Sequence, residues 1–329
     1  MTIDINMKNR FASFLTLCLI LPSLIGCAPM QTPPTSTPQA SPTPEPEADI
    51  FRIIAYATEA IVPEVIPYDK LTHINYSFLI PNADGTFVKI TNSWKLKKIV
   101  ELAHNQNVKV SIAVGGWGWD EQFEQLAASA ESRTAFVKNL KAFVDEYQLD
   151  GVDMDWEYPD PGQSSQNYVA LMTELRGALP DKLISTAVIS YGDDTGLGIP
   201  TESFDLVDYV NVMTYDGSDH GTMEQFEKGL QYWSSRGVPK EKINIGVPFY
   251  SRPSEVTYSK IVSNDPAAAQ TDSFDYFGML QNYNGIPTIK IKTELAMQNA
   301  GGIMFWELSH DAQGELSLVN AIFEVVSNK

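Results

Sequence analysis

Short β-rich segments alternate with amphipathic helical stretches from residue 50 to the end of the chain. Eight segments rich in Val, Ile, Tyr and Phe predict strands: FRIIAYA, LTHINYSFLI, VKVSIAVGG, DGVDMDWE, LISTAVIS, DYVNVMTYD, INIGVPFY and GGIMFWEL. Apolar side chains recur at helical spacing in residues 136–147 and 168–179, which gives each stretch one face to pack on a sheet. Strands that alternate with helices form parallel sheets with right-handed crossovers.

Eight such units predict an α/β fold, a (β/α)8 TIM barrel, with its functional site at the C-terminal ends of the strands. Residues 251–290 are too long for a simple loop and contain several aromatic side chains, so they predict a small insertion after strand seven. An open doubly wound sheet is the alternative. It is disfavoured because no Gly-rich phosphate loop follows the first strand.

The N-terminal residues have the layout of an export signal. Lys8 and Arg10 precede a short apolar run, which predicts a signal peptide over residues 1–26. The run ends in Leu-Ile-Gly-Cys, which resembles the bacterial lipobox, so we expect cleavage before Cys27 and lipidation of that residue. The protein would then be exported and lipid-anchored to a bacterial membrane, facing outside the cytoplasm; a secreted protein with an ordinary cleaved signal is the alternative.

Residues 27–49 are almost entirely Pro, Thr, Ser, Ala and acid, which predicts an extended linker that holds the domain of residues 50–329 away from the membrane. The formal net charge of −18 argues against a nucleic-acid partner and against membrane contact other than through the lipid. The four His are scattered without metal-ligand spacing, so each is interpreted as a surface or packing residue. We expect no metal, no cofactor and a monomer.

The segment DGVDMDWEYPD, residues 150–160, places acids within a predicted strand. Side chains alternate along a strand, so Asp153, Asp155 and Glu157 share the interior face, while Asp150 supports the start of the strand. Carboxylates so close together cannot all stay ionised, and a shared proton suits a general acid. An acidic Ca²⁺ loop is the alternative, and it is disfavoured by the strand alternation.

DGVDMDWE resembles the DxxDxDxE signature of glycoside hydrolase family 18, the family of chitinases. Four further segments are similar to motifs of that family: SIAVGGW with Ala113 where Ser is usual, NVMTYD, GVPFYSR with Ser251 in place of the common Gly, and GGIMFWEL. The resemblance covers about residues 50–329.

The resemblance implies substrate-assisted retaining catalysis, in which the acetamido group of the substrate is the nucleophile. Glu157 would protonate the leaving oxygen and later deprotonate water. Asp155 would orient the acetamido group, and Asp153 would share a proton with Asp155. Tyr215 would hydrogen-bond the acetamido oxygen.

Further residues are expected to bind the sugar chain. Strand parity points Met213 inward, where it could line the pocket for the acetamido methyl, although core packing is the commoner fate of Met. Trp306 could form a platform under a sugar ring. The remaining candidates lie at or just past predicted strand ends: Asp216, Trp117 and Tyr250, with Tyr56 and Phe78 as weaker candidates.

The expected activity is therefore that of a chitinase-like glycoside hydrolase that cleaves β-1,4 bonds between N-acetylglucosamine units. The expected partner is chitin or an N-acetylglucosamine oligosaccharide. Two alternatives stay open: an endo-β-N-acetylglucosaminidase that acts on glycoprotein glycans, and a surface protein that binds chitooligosaccharide without cutting it. A peptidoglycan-directed hydrolase is a further possibility.

Overall fold

A computed structural model describes residues 50–328. Cys27 and the predicted signal and linker lie outside the described residues. Eight parallel strands close into a barrel in the order β1-β10-β7-β6-β5-β4-β3-β2. These strands are Arg52–Thr58 (β1), His73–Leu79 (β2), Lys109–Gly115 (β3), Gly151–Asp155 (β4), Leu183–Ile189 (β5), Tyr209–Met213 (β6), Ile243–Pro248 (β7) and Gly302–Trp306 (β10). Each falls within or beside one of the eight predicted runs, and the predicted (β/α)8 barrel is confirmed.

Seven of the eight barrel strands end before their predicted runs do; β1 is the exception and ends at Thr58, one residue past its run. β4 ends at Asp155 and β6 at Met213, so Glu157 and Tyr215 lie just past the ends of their strands. Tyr250 likewise follows the end of β7 at Pro248. Their backbone is therefore released from the sheet ladder, and the side chains stand at the mouth of the barrel, where sites of this fold form.

Helices form the outer layer of the barrel. They are Ser93–His104 (α1), Asp120–Ala128 (α2), Ala130–Tyr147 (α3), Gln163–Ala178 (α4), Asp193–Gly196 (α5), Met223–Ser235 (α6), Tyr258–Asn264 (α7), Ile286–Asn299 (α8) and Leu318–Ser327 (α9). The two predicted apolar stripes lie in α3 and α4. Phe136 and Leu140 of α3 and Leu171 of α4 are fully buried, because these faces pack toward the sheet and its neighbouring helices.

The segment after β7 is a small insertion made of α7 and a hairpin. The antiparallel strands Ser273–Tyr276 (β8) and Met279–Asn282 (β9) form this hairpin. It is joined to the loop after β7, because the backbone of Arg252 exchanges hydrogen bonds of 3.0 and 2.8 Å with that of Asn282. The insertion therefore stands beside the open end of the barrel.

Alternation along β4 divides its side chains between two environments. Trp156, the residue after this strand, is buried among the outer helices, where it stacks on Phe123 at 5.2 Å, and its indole N–H donates to Asp120 at 2.7 Å. Asp153 and Asp155 are buried on the opposite, interior face. Between residues 50 and 328, no helix is long and apolar enough to cross a membrane.

Candidate active site

A cavity of about 440 Å³ opens at the C-terminal ends of the barrel strands. The structure brings every predicted site residue of the barrel to its lining, with the exception of Asp153, which lies beneath it. The lining residues are Tyr56, Phe78, Trp117, Asp155, Glu157, Met213, Tyr215, Asp216, Tyr250, Arg252, Glu255, Trp306 and His310.

Asp153 lies inside the barrel and accepts three hydrogen bonds. Its Oδ2 accepts from the Tyr56 hydroxyl at 2.6 Å, and its Oδ1 accepts from the Ser185 hydroxyl at 2.6 Å and from Asn211 Nδ2 at 2.9 Å. Complete burial raises the pKa of Asp153, and the three donors act in the opposite direction. Both oxygens of the side chain therefore accept hydrogen bonds, which fix its orientation.

Asp155 and Glu157 form a hydrogen-bonded pair above Asp153. Burial raises the pKa of Asp155 well above its ordinary value, and the charges of Glu157 and Asp153 raise it further. Burial also raises the pKa of Glu157, and the charge of Asp216 adds to this, while hydrogen bonds from Tyr158 and Asp155 oppose it. The pair therefore holds a proton at a pH where free carboxylic acids have lost theirs. Asp155 Oδ1 is buried, and it has no hydrogen-bond partner among the residues described.

Tyr215 closes one side of the cavity. Its ring meets that of Tyr250 edge to face at 6.3 Å, and its hydroxyl lies 3.8 Å from Met304 Sδ. Burial raises the pKa of Tyr215, so the phenol keeps its proton and remains a donor. Gly246 makes room for this arrangement, since a Cβ there would lie 2.9 Å from the Tyr215 ring.

An aromatic wall stands opposite. The Trp306 indole stacks on Phe78 with ring centroids 5.5 Å apart and packs against Tyr56 at 5.6 Å. Trp117 lines the same cavity but is 79% exposed. Flat apolar faces of this kind pack against the C–H faces of a pyranose ring, and an exposed one extends the surface beyond a single ring.

Asp216 is fixed at the mouth of the cavity by four side chains, one of which is Gln225, whose Nε2 donates to the Asp216 carbonyl at 2.8 Å. Its Oδ1 accepts from the Tyr250 hydroxyl at 2.7 Å and from Arg252 Nε at 2.8 Å. Its backbone N–H donates to His220 Nδ1 at 2.9 Å, so that nitrogen is unprotonated; the other ring nitrogen, Nε2, lies 3.1 Å from the Tyr250 carbonyl. Burial lowers the pKa of His220, which favours this neutral form. His220 thus stabilises the loop that contains Asp216 through contacts with the backbone on both sides.

Three lining residues were not predicted as site residues: Arg252, Glu255 and His310. They come from the loops after β7 and β10, which have no periodicity to indicate where a side chain points. His310, interpreted with the other His as a surface or packing residue rather than a metal ligand, lies in the cavity lining, because its short 3₁₀ turn follows β10 directly. The only sequence signal for Arg252 is its place in the GVPFYSR segment.

Comparison with known proteins identifies the family. A sequence profile described as Glycosyl hydrolases family 18 matches residues 52–311. The chain belongs to glycoside hydrolase family 18. This match confirms the expectation of a glycoside hydrolase. That expectation rested on the segment DGVDMDWE, which contains the carboxylates of β4.

Family 18 relatives include Chitinase 1 of Aphanocladium album, 26% identical over 78% of this chain and 80% of that protein. Chitinase A1 of Niallia circulans is 28% identical over 63% of this chain, which spans only 41% of that longer protein. Among solved structures, a chitinase from Bacteroides thetaiotaomicron superimposes with a TM-score of 0.77 at 27% identity, covering 85% of this chain and 97% of the other. A family 18 chitinase from the chitin utilization locus of Flavobacterium johnsoniae gives 0.75 at 29% identity, covering 85% and 94%.

Proposed function

We propose that this family 18 hydrolase is a chitinase that cleaves β-1,4 bonds between N-acetylglucosamine units with retention. The observation that carries the proposal is the position of Asp155 and Glu157 in the lining of the cavity, where burial raises both pKa values and Asp155 Oδ1 has no hydrogen-bond partner among the described residues. A buried acceptor of this kind is costly unless a ligand donor meets it. The acetamido N–H of the substrate is such a donor.

In this mechanism Glu157 donates its proton to the leaving glycosidic oxygen. Asp155 accepts the acetamido N–H, which turns the acetamido carbonyl oxygen toward the anomeric carbon and stabilises the positive charge of the resulting oxazolinium ion. Glu157, now a carboxylate, takes a proton from the water that attacks this intermediate. Asp153 lies below the pair, and its charge would govern how readily Asp155 gives up its proton.

The two sides of the cavity would contact different parts of the same sugar. Tyr215 would donate to the acetamido oxygen, and Met213 would contact the acetamido methyl group. Asp216 would meet the sugar or the incoming water. The aromatic wall of Trp306, Phe78 and Tyr56 would support the ring, and Trp117 and Tyr250 would contact neighbouring sugars along the polymer.

We further propose that residues 1–26 direct export, that Cys27 carries lipid, and that residues 27–49 tether a monomeric catalytic barrel of residues 50–329. The sequence pattern supports this proposal through the basic residues, the apolar run and the Cys at its end. A tethered hydrolase outside the cytoplasm would meet a polymer that cannot enter the cell. The substrate is neutral, which agrees with the net charge of −18.

The test is hydrolysis of 4-methylumbelliferyl chitobioside and chitotrioside by the wild-type protein and by Glu157→Gln. Loss of the general acid should reduce kcat by a factor on the order of 10² or more while binding of chitooligosaccharide persists. Asp160→Asn is the matched control, because Asp160 is an exposed acid three residues away. Its activity should equal that of the wild type.

Other outcomes separate the alternatives. A wild-type protein that binds chitooligosaccharide and releases it intact would replace catalysis with binding. Release of glycans from a high-mannose glycoprotein without cleavage of the chitooligosaccharides would identify an endo-β-N-acetylglucosaminidase.

A further inference from the structure

A row of hydrogen bonds crosses the interior of the barrel from its N-terminal end to Asp153. Arg52 Nε donates to Asn244 Oδ1 at 2.8 Å, Asn244 Nδ2 donates to Asn211 Oδ1 at 2.8 Å, and Asn211 Nδ2 donates to Asp153 Oδ1 at 2.9 Å. Both amide side chains are fully buried. We call Arg52, Asn244 and Asn211 the interior relay.

The chemistry of the two ends fixes the direction of every bond in the interior relay. A guanidinium can only donate, so Asn244 must turn its oxygen toward Arg52 and its nitrogen toward Asn211. Asn211 must then accept through its oxygen and donate through its nitrogen. Asp153 therefore accepts a hydrogen bond from Asn211. The permanent positive charge of Arg52 polarises the two aligned amides, and the low dielectric constant of the interior strengthens this effect at Asp153.

The sequence provides the space for the first bond of the interior relay. Arg52 and Asn244 are the register partners of Gly302 on its two sides, in β1 and β7. A Cβ on Gly302 would lie 2.4 Å from Asn244 Oδ1 and 2.8 Å from Arg52 Cβ. Because Gly302 has no side chain, the Arg and Asn side chains can meet across the strand between them.

We propose that Arg52, at the end of the barrel opposite the cavity, is a positioning residue that keeps Asp153 in its carboxylate form through Asn244 and Asn211. The inference rests on the proposed function, because it concerns the charge of the acid beneath the catalytic pair. An ionised Asp153 repels a second negative charge on Asp155. The proton therefore stays with the Asp155–Glu157 pair, where the leaving group needs it.

Other groups act on Asp153 from the surrounding elements. Tyr56 of β1 and Ser185 of β5 donate to it, Asp155 stands above it on β4, and Tyr168 of α4 lies near enough to sense its charge. At the lower end, Lys109 of β3 is a second cation, and His73 of β2 is neutral because burial, together with Arg52 and Lys109, lowers its pKa to about 3. Arg52 is the cation that the hydrogen bonds connect to Asp153.

The test compares pH–activity profiles of the full chain on 4-methylumbelliferyl chitobioside. Arg52→Met removes the source of the polarisation. Asn244→Asp keeps the size of the side chain but places an acceptor beside Asn211, which must then turn its nitrogen away from Asp153. In both variants kcat should fall about ten-fold more on the acid side of the optimum than on the alkaline side, since a hydrogen bond to a charged group is lost. Arg52→Lys keeps a cationic donor and should restore the wild-type profile.

The controls separate the interior relay from fold stability and from general charge. Arg52 also donates to the Glu241 carbonyl and lies 4.0 Å over the Tyr209 ring, so Arg52→Met and Arg52→Lys should both lower the melting temperature. Lys109→Met removes a cation from the same end of the barrel and should leave the acid side of the profile unchanged. An equal loss of kcat at every pH in Arg52→Met, or an acid-side loss in Lys109→Met, would overturn the proposal.

A second measurement does not depend on turnover. Carboxyl ¹³C NMR of the protein labelled at Asp, with Asp153→Asn used for assignment, reports the titration of Asp153 directly. Asp153 should titrate at higher pH in Arg52→Met and Asn244→Asp than in the wild type and in Arg52→Lys. Unchanged titration would overturn the interior relay. A shift in a protein without chitinase activity would support the relay and reject the proposed function.

Discussion

Three acids of similar chemistry acquire different tasks through their immediate neighbours. Asp153 is surrounded by donors, Asp155 has an oxygen without a partner and lies between two acids, and Glu157 lies at the cavity beside Asp155 and Tyr158. Burial raises the pKa of each of them, and the charges of both neighbours raise that of Asp155 further. In the proposed mechanism, the division between an anion at Asp153 and a mobile proton above it would follow from these local contacts rather than from residue type.

At this scale the charge of Asp216 should shift the alkaline side of the pH profile toward higher pH. Burial is the main cause that raises the pKa of Glu157, and the Asp216 carboxylate raises it further. Glu157 must carry a proton to act, so activity is lost as the pH rises through its pKa. Asp216→Asn keeps an oxygen acceptor for Tyr250 and Arg252 but removes the charge, so the pKa of Glu157 falls and activity is lost at lower pH.

The expected size is modest because the Asp216 side chain is 47% exposed and pairs with Arg252. Solvent-screened charges are worth about 1 kcal/mol or less, so we expect roughly a two- to five-fold loss relative to wild type at pH 8 beyond any loss at pH 5. Initial rates on 4-methylumbelliferyl chitobioside across this range measure it. A profile that moves toward higher pH would contradict the assigned sign.

At the scale of the element, the period of each strand predicts which face is buried, but the neighbours across the sheet depend on register. Alternation alone places Asp153 inward, and the structure agrees. Its contact with Ser185 depends on the pairing of β4 with β5, in which these two residues are partners, and a single strand does not contain that information. Arg252, Glu255 and His310 lie in loops further from the strand ends and without any period, which is why the sequence indicated the site residues on and just past the strands and missed these.

The two faces of β4 should respond to substitution independently. Trp156, just past the strand, is 1% exposed, stacks on Phe123 and donates to Asp120 on the helix side. Trp156→Phe removes the indole N–H and part of the packed volume, so it should lower the free energy of unfolding by about 1–3 kcal/mol. Because the acids point the other way, kcat should be retained. Urea unfolding and initial rates test both parts.

Asp120→Ala provides the matched control for this element. It removes the acceptor of the indole N–H but leaves the stacked rings in place, so its cost should be the smaller of the two, about 1 kcal/mol. A Trp156→Phe protein that keeps its stability but loses activity would show that the two faces are not independent.

At the scale of the whole molecule, the charge and the proposed tether would suit a hydrolase that works on a neutral polymer away from anionic surfaces. The chain carries 41 acidic and 23 basic residues, so electrostatics would not draw the barrel to phosphate-rich membranes. A lipid on Cys27 with a Pro-rich linker would hold the barrel near the membrane without requiring that attraction. The attachment of the barrel to the cell would then depend on the covalent bond between Cys27 and its lipid.

The two Cys of the chain offer a matched pair for testing that bond. In a bacterial host that processes lipoproteins, the wild-type protein should incorporate an alkyne analogue of palmitate and fractionate with membranes. Cys27→Ser should lose the label and leave the membrane fraction, because one acyl-bearing site is the whole anchor. Cys18 lies within the predicted signal, outside the lipobox. The Cys18→Ser protein should therefore behave as the wild type. Chitobioside hydrolysis should be equal in all three proteins, because the barrel is untouched.

Two outcomes would contradict the lipid anchor on Cys27. A wild-type protein that is unlabelled and recovered outside the cell would assign residues 1–26 to an ordinary cleaved signal. Label retained in the Cys27→Ser protein would place the lipid on another residue.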